Sequence, residues 1–119
     1  MCGLEAMATG LPLIATNWSG PTEYLDPVDS LPLAYQLVEA EGFQPDSSRS
    51  FGFWAEPDRD HLRHLLRWLF EHPAEAAARG RQAAARAHRD WSWDRIACQL
   101  RQDCDAVAAG TTPAGSWTA

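Results

Sequence analysis

Residues 3–16 read Gly3-Leu4-Glu5-Ala6-Met7-Ala8-Thr9-Gly10-Leu11-Pro12-Leu13-Ile14-Ala15-Thr16, and this stretch decides the fold class. Leu, Glu, Ala and Met are good helix formers, so Gly3 to Ala8 predicts a helix. Gly10 stands just past it, where a glycine in the left-handed conformation closes a helix. Leu11 to Thr16 is a short apolar run of strand length that does not alternate. That pattern suits a strand buried on both faces of a helix-covered parallel sheet. Helix, glycine and buried strand make the second half of a βαβ unit, so the chain is expected to be α/β.

Downstream, Asn17-Trp18-Ser19-Gly20-Pro21 is a loop by composition, and Thr22 to Leu25 fits one helical turn before Asp26-Pro27. Leu33 to Ala40 reads as a second strand with Leu33, Tyr35 and Leu37 on one face. Residues 41–50 read as an exposed polar loop, and Phe51 to Ala55 as a short aromatic strand or extended segment. From Asp58 the period changes. Leu62, Leu65, Leu66, Leu69 and Phe70 form one apolar stripe on a helix started by Asp58 or Glu56. Pro73 opens the next helix at its first position, with Gly80 as a weak point inside it. Ser92 caps a third, whose stripe is Trp93, Ile96, Ala97, Leu100, Cys104 and Val107, ended by Gly110. The two stripes are expected to pack as a core. Residues 111–119 read as a flexible tail, and no internal repeat is evident. Two or three strands followed by three helices resemble the end of an α/β domain rather than the whole of one.

Composition narrows the function classes. The 119 residues suffice for one domain, and 45% hydrophobic with 22% charged residues is a globular balance. All ten basic residues are arginine, against 16 acidic ones, for a net charge of −6. An acidic chain lacks the basic face that nucleic acid needs. No apolar run approaches the ~20 residues that span a bilayer, and no secretory signal opens the chain. Cys2, Cys98 and Cys104 are odd in number and far apart, which suits neither a disulfide framework nor a zinc site. The expected setting is reducing and cytoplasmic.

The opening run also resembles the "LEAMA-x-G-x-P-V-I-A-T" signature of the retaining GT-B glycosyltransferases of family 4, often called group 1. Further text in the same order is similar to a bacterial subset of that family: Asn17 to Pro21 with Glu23, then Trp54-Ala55-Glu56-Pro57-Asp58, Asp60-His61-Leu62, His72-Pro73 and Trp91-Ser92-Trp93. The resemblance covers nearly residues 3 to 100. It implies a partial Rossmann-like C-terminal domain, residues 1–110, that begins inside the family's paired-glutamate motif. Glu5 matches the second glutamate of that pair; the first falls before Met1. In the family the C-terminal domain binds the nucleotide sugar, and the acceptor sits in the cleft to the N-terminal domain. The resemblance therefore implies that Glu5 bonds the donor's ribose hydroxyls. An ionised carboxylate suits two vicinal hydroxyls. The loop residues Thr16, Asn17 and Gly20, with Glu23, are the further candidates for substrate contact. The first glutamate, the Gly-rich loop and the Arg/Lys pair that steadies the leaving diphosphate lie upstream in the family. No cofactor or metal is implied, and no catalytic residue is assigned to this chain. The expected partners are the donor, an N-terminal GT-B domain and a second copy meeting an exposed edge strand. The alternative is a non-catalytic module that pairs with a separately encoded N-terminal half.

Other side chains are better read as structural. Thr9 and Gly10 belong to the helix end. His61 and His64 lie three apart, but no third ligand is placed beside them, so no metal site is expected. No histidine is placed beside Cys98 or Cys104 to make a catalytic dyad. Trp91 and Trp93 suit sugar stacking, but such a pair more often anchors a helix entry in the core. Arg79, Arg81, Arg86 and Arg89 read as a solvated face. Asn17-Trp18-Ser19 matches a glycosylation sequon, here fortuitous.

Overall fold

The computed structural model describes residues 2–40 and 52–111. The expected loop at 41–50 and the tail beyond Thr111 fall outside the described residues. The elements run α1 (Cys2–Ala8), β1 (Ile14–Thr16), a short 3-10 turn (Gly20–Glu23), β2 (Leu31–Leu33), β3 (Tyr35–Glu39), β4 (Phe53–Pro57), α2 (Arg59–Glu71), α3 (Pro73–Asp90) and α4 (Trp93–Ala108). This is a small α/β arrangement of a few short strands and three long helices after the opening one.

The opening unit forms as its residues dictate. Gly10 has φ 81°, the Leu11 N–H donates to the Ala6 carbonyl at 3.1 Å, and the Gly10 N–H to that of Met7 at 2.9 Å. Those two bonds close α1 as a Schellman cap and turn the chain into β1. β1 is shorter than the apolar run, Ile14–Thr16 only, and pairs in parallel with β2, Ile14 opposite Leu31 and Thr16 opposite Leu33.

Two expectations about strands are corrected. Among the described residues there are four strands rather than two or three, and they form two separate pairs: β1–β2 parallel and β3–β4 antiparallel. The expected single strand at Leu33 to Ala40 breaks at Ala34 because that peptide bonds to α2's first turn instead of to a strand. Its N–H donates to His61 Nδ1 at 3.0 Å, and its carbonyl accepts from the Asp58 N–H at 2.8 Å. On β3, Leu37 is 49% exposed.

The helix boundaries follow their caps. The Asp58 carboxylate accepts from the Asp60 and His61 N–H groups, and the Ser92 hydroxyl accepts from Arg95 N–H at 3.3 Å. Pro73 opens α3 at its first position, and Gly110, at φ 73°, follows the end of α4.

The core is small and lies between α1 and α3. Met7, Ala83 and Ala87 are buried, with Leu4, Ala8, Leu13 and Tyr24 packed around them. Gly80 is not the weak point its composition suggests. A Cβ there would overlap the Gly10 carbonyl oxygen and come within 2.8 Å of the Gly10 carbonyl carbon. The glycine lets α3 lie directly on the α1–β1 turn.

The expected packing of two helix stripes is also corrected. On α2, Leu62, Leu65 and Leu69 are half-buried, while Leu66 is 53% and Phe70 86% exposed. On α4, Trp93 is 81%, Leu100 62% and Val107 64% exposed, and Ile96 and Cys104 are exposed as well. The core is filled instead by Ala83 and Ala87 of α3 against α1.

Arg79 and Arg86 do not belong to a solvated face. Arg86 Nη2 donates to Asp29 Oδ1 at 2.7 Å and to the Tyr24 carbonyl at 2.6 Å, while its Nε donates to Asp29 Oδ2 at 2.5 Å. Arg79 donates to the carbonyl of Pro27 at 2.7 Å and lies over the Trp68 ring, 5.5 Å from its centroid. Together they clamp the chain between Tyr24 and Ser30 onto α3.

Candidate functional site

Glu5 sits on α1, exposed, and no described residue bonds its carboxylate. It borders a cavity of about 490 Å³ walled by Leu4, Ala8, His88, Trp91, Trp93 and Asp94, a volume in the range of small-molecule sites. His88 stands on α3 with Nε2 3.1 Å from the Ala8 carbonyl. A carbonyl only accepts, so Nε2 carries the proton and ties the helix to α1. Trp91 meets Tyr24 edge to face, centroids 6.4 Å apart, as a packed helix-entry residue does. Trp93 does not anchor the core. It stands in the open on the first turn of α4, beside Glu5 in the same cavity wall.

Thr16, Asn17, Gly20 and Glu23 lie together on the segment that leaves β1. Thr16 ends the strand, and the Asn17 N–H extends the ladder by donating to the Leu33 carbonyl at 3.1 Å. The Trp18 N–H then closes back onto the Thr16 carbonyl at 2.8 Å. Ser19 takes φ 56°, a backbone position that side chains rarely adopt. Its carbonyl is held by both the N–H and the hydroxyl of Thr22, at 2.9 and 2.6 Å. Gly20 opens the 3-10 turn and Glu23 ends it, both exposed. The structure brings these four onto one loop but not into one cavity with Glu5. Asn17 instead borders a second cleft, of about 370 Å³, with Tyr35 and His61.

Sequence reading left His61 among residues without a role. It lies in the first turn of α2, capped by Asp58, and its imidazole reaches 3.0 Å from the Ala34 N–H. No local pattern announces that bond, which joins residues 27 apart in the chain. His72 stacks on Trp68, centroids 5.0 Å apart, with Nδ1 2.9 Å from the Trp68 carbonyl. Among the described residues no three His, Cys, Asp or Glu side chains are grouped as a metal site, and no helix is long and apolar enough to cross a membrane.

The ionisable groups that stand out are structural. Burial pushes the Asp29 carboxyl up, but hydrogen bonds from Arg86 and Ser30, with the Arg86 charge, outweigh it and hold Asp29 below its ordinary value. The same pair raises Arg86, chiefly through its hydrogen bond to Asp29. On the surface, Arg89 and Asp90 form a two-bond pair at 2.9 and 2.8 Å.

No family model matches this chain, and neither does any curated protein or solved structure.

Proposed function

We propose that the chain is the C-terminal part of the nucleotide-sugar-binding, Rossmann-like domain of a retaining GT-B glycosyltransferase, working in the cytoplasm. It would move a sugar from a nucleotide-diphospho-sugar to a saccharide or related acceptor. One observation carries the reading. Glu5 lies on a helix closed by Gly10 and followed at once by a parallel strand, and its carboxylate is exposed and free of partners among the described residues. A free carboxylate at a cavity mouth suits a diol, since in its ionised form it accepts from two adjacent hydroxyls.

The chemistry in this reading is positional and electrostatic. The donor is held, the diphosphate is neutralised as it leaves, and the acceptor attacks the same face of the sugar. This chain's share is the ribose contact at Glu5 and the loop from Thr16 to Glu23. One charge-assisted hydrogen bond contributes roughly 1.5–3 kcal/mol, which alone corresponds to affinity weaker than millimolar. Residues 1–119 are therefore inactive on their own in this reading. Addition of the sequence encoded upstream restores donor binding and transfer, and Glu5→Ala then weakens donor binding. Transfer by the extended protein that is indifferent to Glu5→Ala contradicts the assignment.

The exposed side of α4 supports a second reading. Trp93, Leu100 and Val107 offer an apolar face of the kind a partner covers, as expected of a non-catalytic assembly module that pairs with a separate N-terminal half. Catalysis separates the two: the module binds its other half and transfers nothing.

A further inference from the structure

The two parallel strands end side by side, β1 passing into Asn17 and β2 into Ala34. Parallel α/β sheets take ligands in the crevice beyond such carboxyl ends. Here the crevice is the open cleft of about 370 Å³ lined by Asn17, Leu33, Ala34, Tyr35 and His61.

One bond fixes the state of His61. A backbone N–H only donates, so the Nδ1 that faces the Ala34 N–H at 3.0 Å is bare, and Nε2 holds the proton of a neutral ring. No described residue takes that Nε2–H, and none bonds the Asn17 side-chain amide or the Tyr35 hydroxyl. Trp18, just outside the cleft lining, packs against Tyr35 with ring centroids 5.3 Å apart at 55°. Among the described residues, no Asp, Glu or Arg side chain lines the cleft.

That set of groups selects a chemistry. A phosphate finds no cation here, and an amine finds no carboxylate. An amide, an imidazole N–H and a phenol suit hydroxyl groups, while the face of the Tyr35 ring suits the C–H face of a sugar. We infer that the cleft at the carboxyl ends of β1 and β2 binds a neutral saccharide ring. Asn17 and His61 Nε2–H bond its hydroxyls, and the Tyr35 ring carries its apolar face. That this saccharide is a reactant rests on the glycosyltransferase reading; the binding itself does not. The cleft lies apart from Glu5, which opens onto the other cavity.

The test titrates methyl α-D-glucopyranoside, methyl α-D-mannopyranoside and inorganic phosphate into residues 1–119, followed by the NMR signals of Trp18 and Tyr35. At least one glycoside shifts both residues saturably with a millimolar dissociation constant, and phosphate shifts neither. His61→Asn places an amide oxygen near Nδ1, where it accepts the Ala34 N–H, and removes only the Nε2 donor. It keeps the circular dichroism of the parent and weakens glycoside binding about tenfold, the equivalent of one hydrogen bond. Should His61→Asn unfold, Asn17→Ala carries the same test, because Asn17 is exposed and its ladder bond is made by the backbone. Glycosides that leave Trp18 and Tyr35 unmoved, saturable shifts with phosphate alone, or parental affinity in a folded variant overturn the inference. A failed donor titration at Glu5 with glycoside binding intact would instead remove the glycosyltransferase reading and leave the saccharide cleft standing.

Discussion

Gly80 shows how a single residue's role depends on what lies across from it. Read locally, a glycine inside a helix is a defect, and replacing it with alanine should stabilise the helix by about 1 kcal/mol. In the fold its missing side chain is where the Gly10 carbonyl sits. Gly80→Ala is therefore expected to destabilise by about 1–3 kcal/mol through overpacking, and denaturant unfolding reads the sign directly. Asp29 gives a second residue-scale expectation. Its folded value is lowered, so the stability it contributes is present above the ordinary 3.8 and is lost as the pH falls through the lowered folded value. Asp29→Asn should flatten the acid limb of the stability–pH curve and, at neutral pH, cost about 2 kcal/mol or more by stripping Arg86 of its bidentate partner. An acid limb identical to the parent's would show that the pair is not what acid breaks. Neither role was legible in the sequence. Gly80 and Gly10 are 70 positions apart, and nothing beside Arg86 marks Asp29 as its partner. Gly10, Asp58, Pro73 and Ser92 were legible, because caps and turn glycines act on their own neighbours.

At the level of elements, periodicity located the helices but not what they cover. The α2 stripe divides along its width: Leu62, Leu65 and Leu69 turn inward, while Leu66 and Phe70 remain in the open. Leu69→Ala is expected to cost about 2 kcal/mol and Leu66→Ala less than about 1, because a half-exposed side chain leaves little cavity behind. Equal costs would mean that the stripe is buried as one face. The α4 stripe has the same helical spacing and stays uncovered, since an apolar moment says which side seeks cover and not whether cover is present. The strand pattern failed for a related reason. Alternation from Leu33 onward ran through Ala34, whose peptide is drawn off to α2 by His61 and Asp58. That long-range pull also places His61 in the cleft with Asn17, so the part of the candidate site that local sequence hid comes from the same contact that broke the strand.

At the scale of the whole molecule, the chain is more extended than a compact domain of its length. Its radius of gyration is 18.4 Å, against about 13.5 Å for a compact chain of this length. Trp93, Leu100, Val107, Leu66 and Phe70 face outward, and among the described residues β1 pairs on one side only. Such edges and apolar faces promote association. Residues 1–119 are accordingly expected to self-associate, and light scattering that finds a strictly monomeric, well-folded species at high micromolar concentration counts against this. The claim that ties the scales together is that Glu5 holds a donor nucleotide sugar only when the rest of the binding domain stands beside it. Calorimetric titration of nucleotide sugars into residues 1–119, into the chain extended by its upstream sequence, and into the extended chain carrying Glu5→Ala tests it most directly. The account predicts no micromolar binding to the first, micromolar binding to the second and a clear weakening in the third. Micromolar binding to residues 1–119 alone, or an extended chain whose affinity ignores Glu5→Ala, would contradict it.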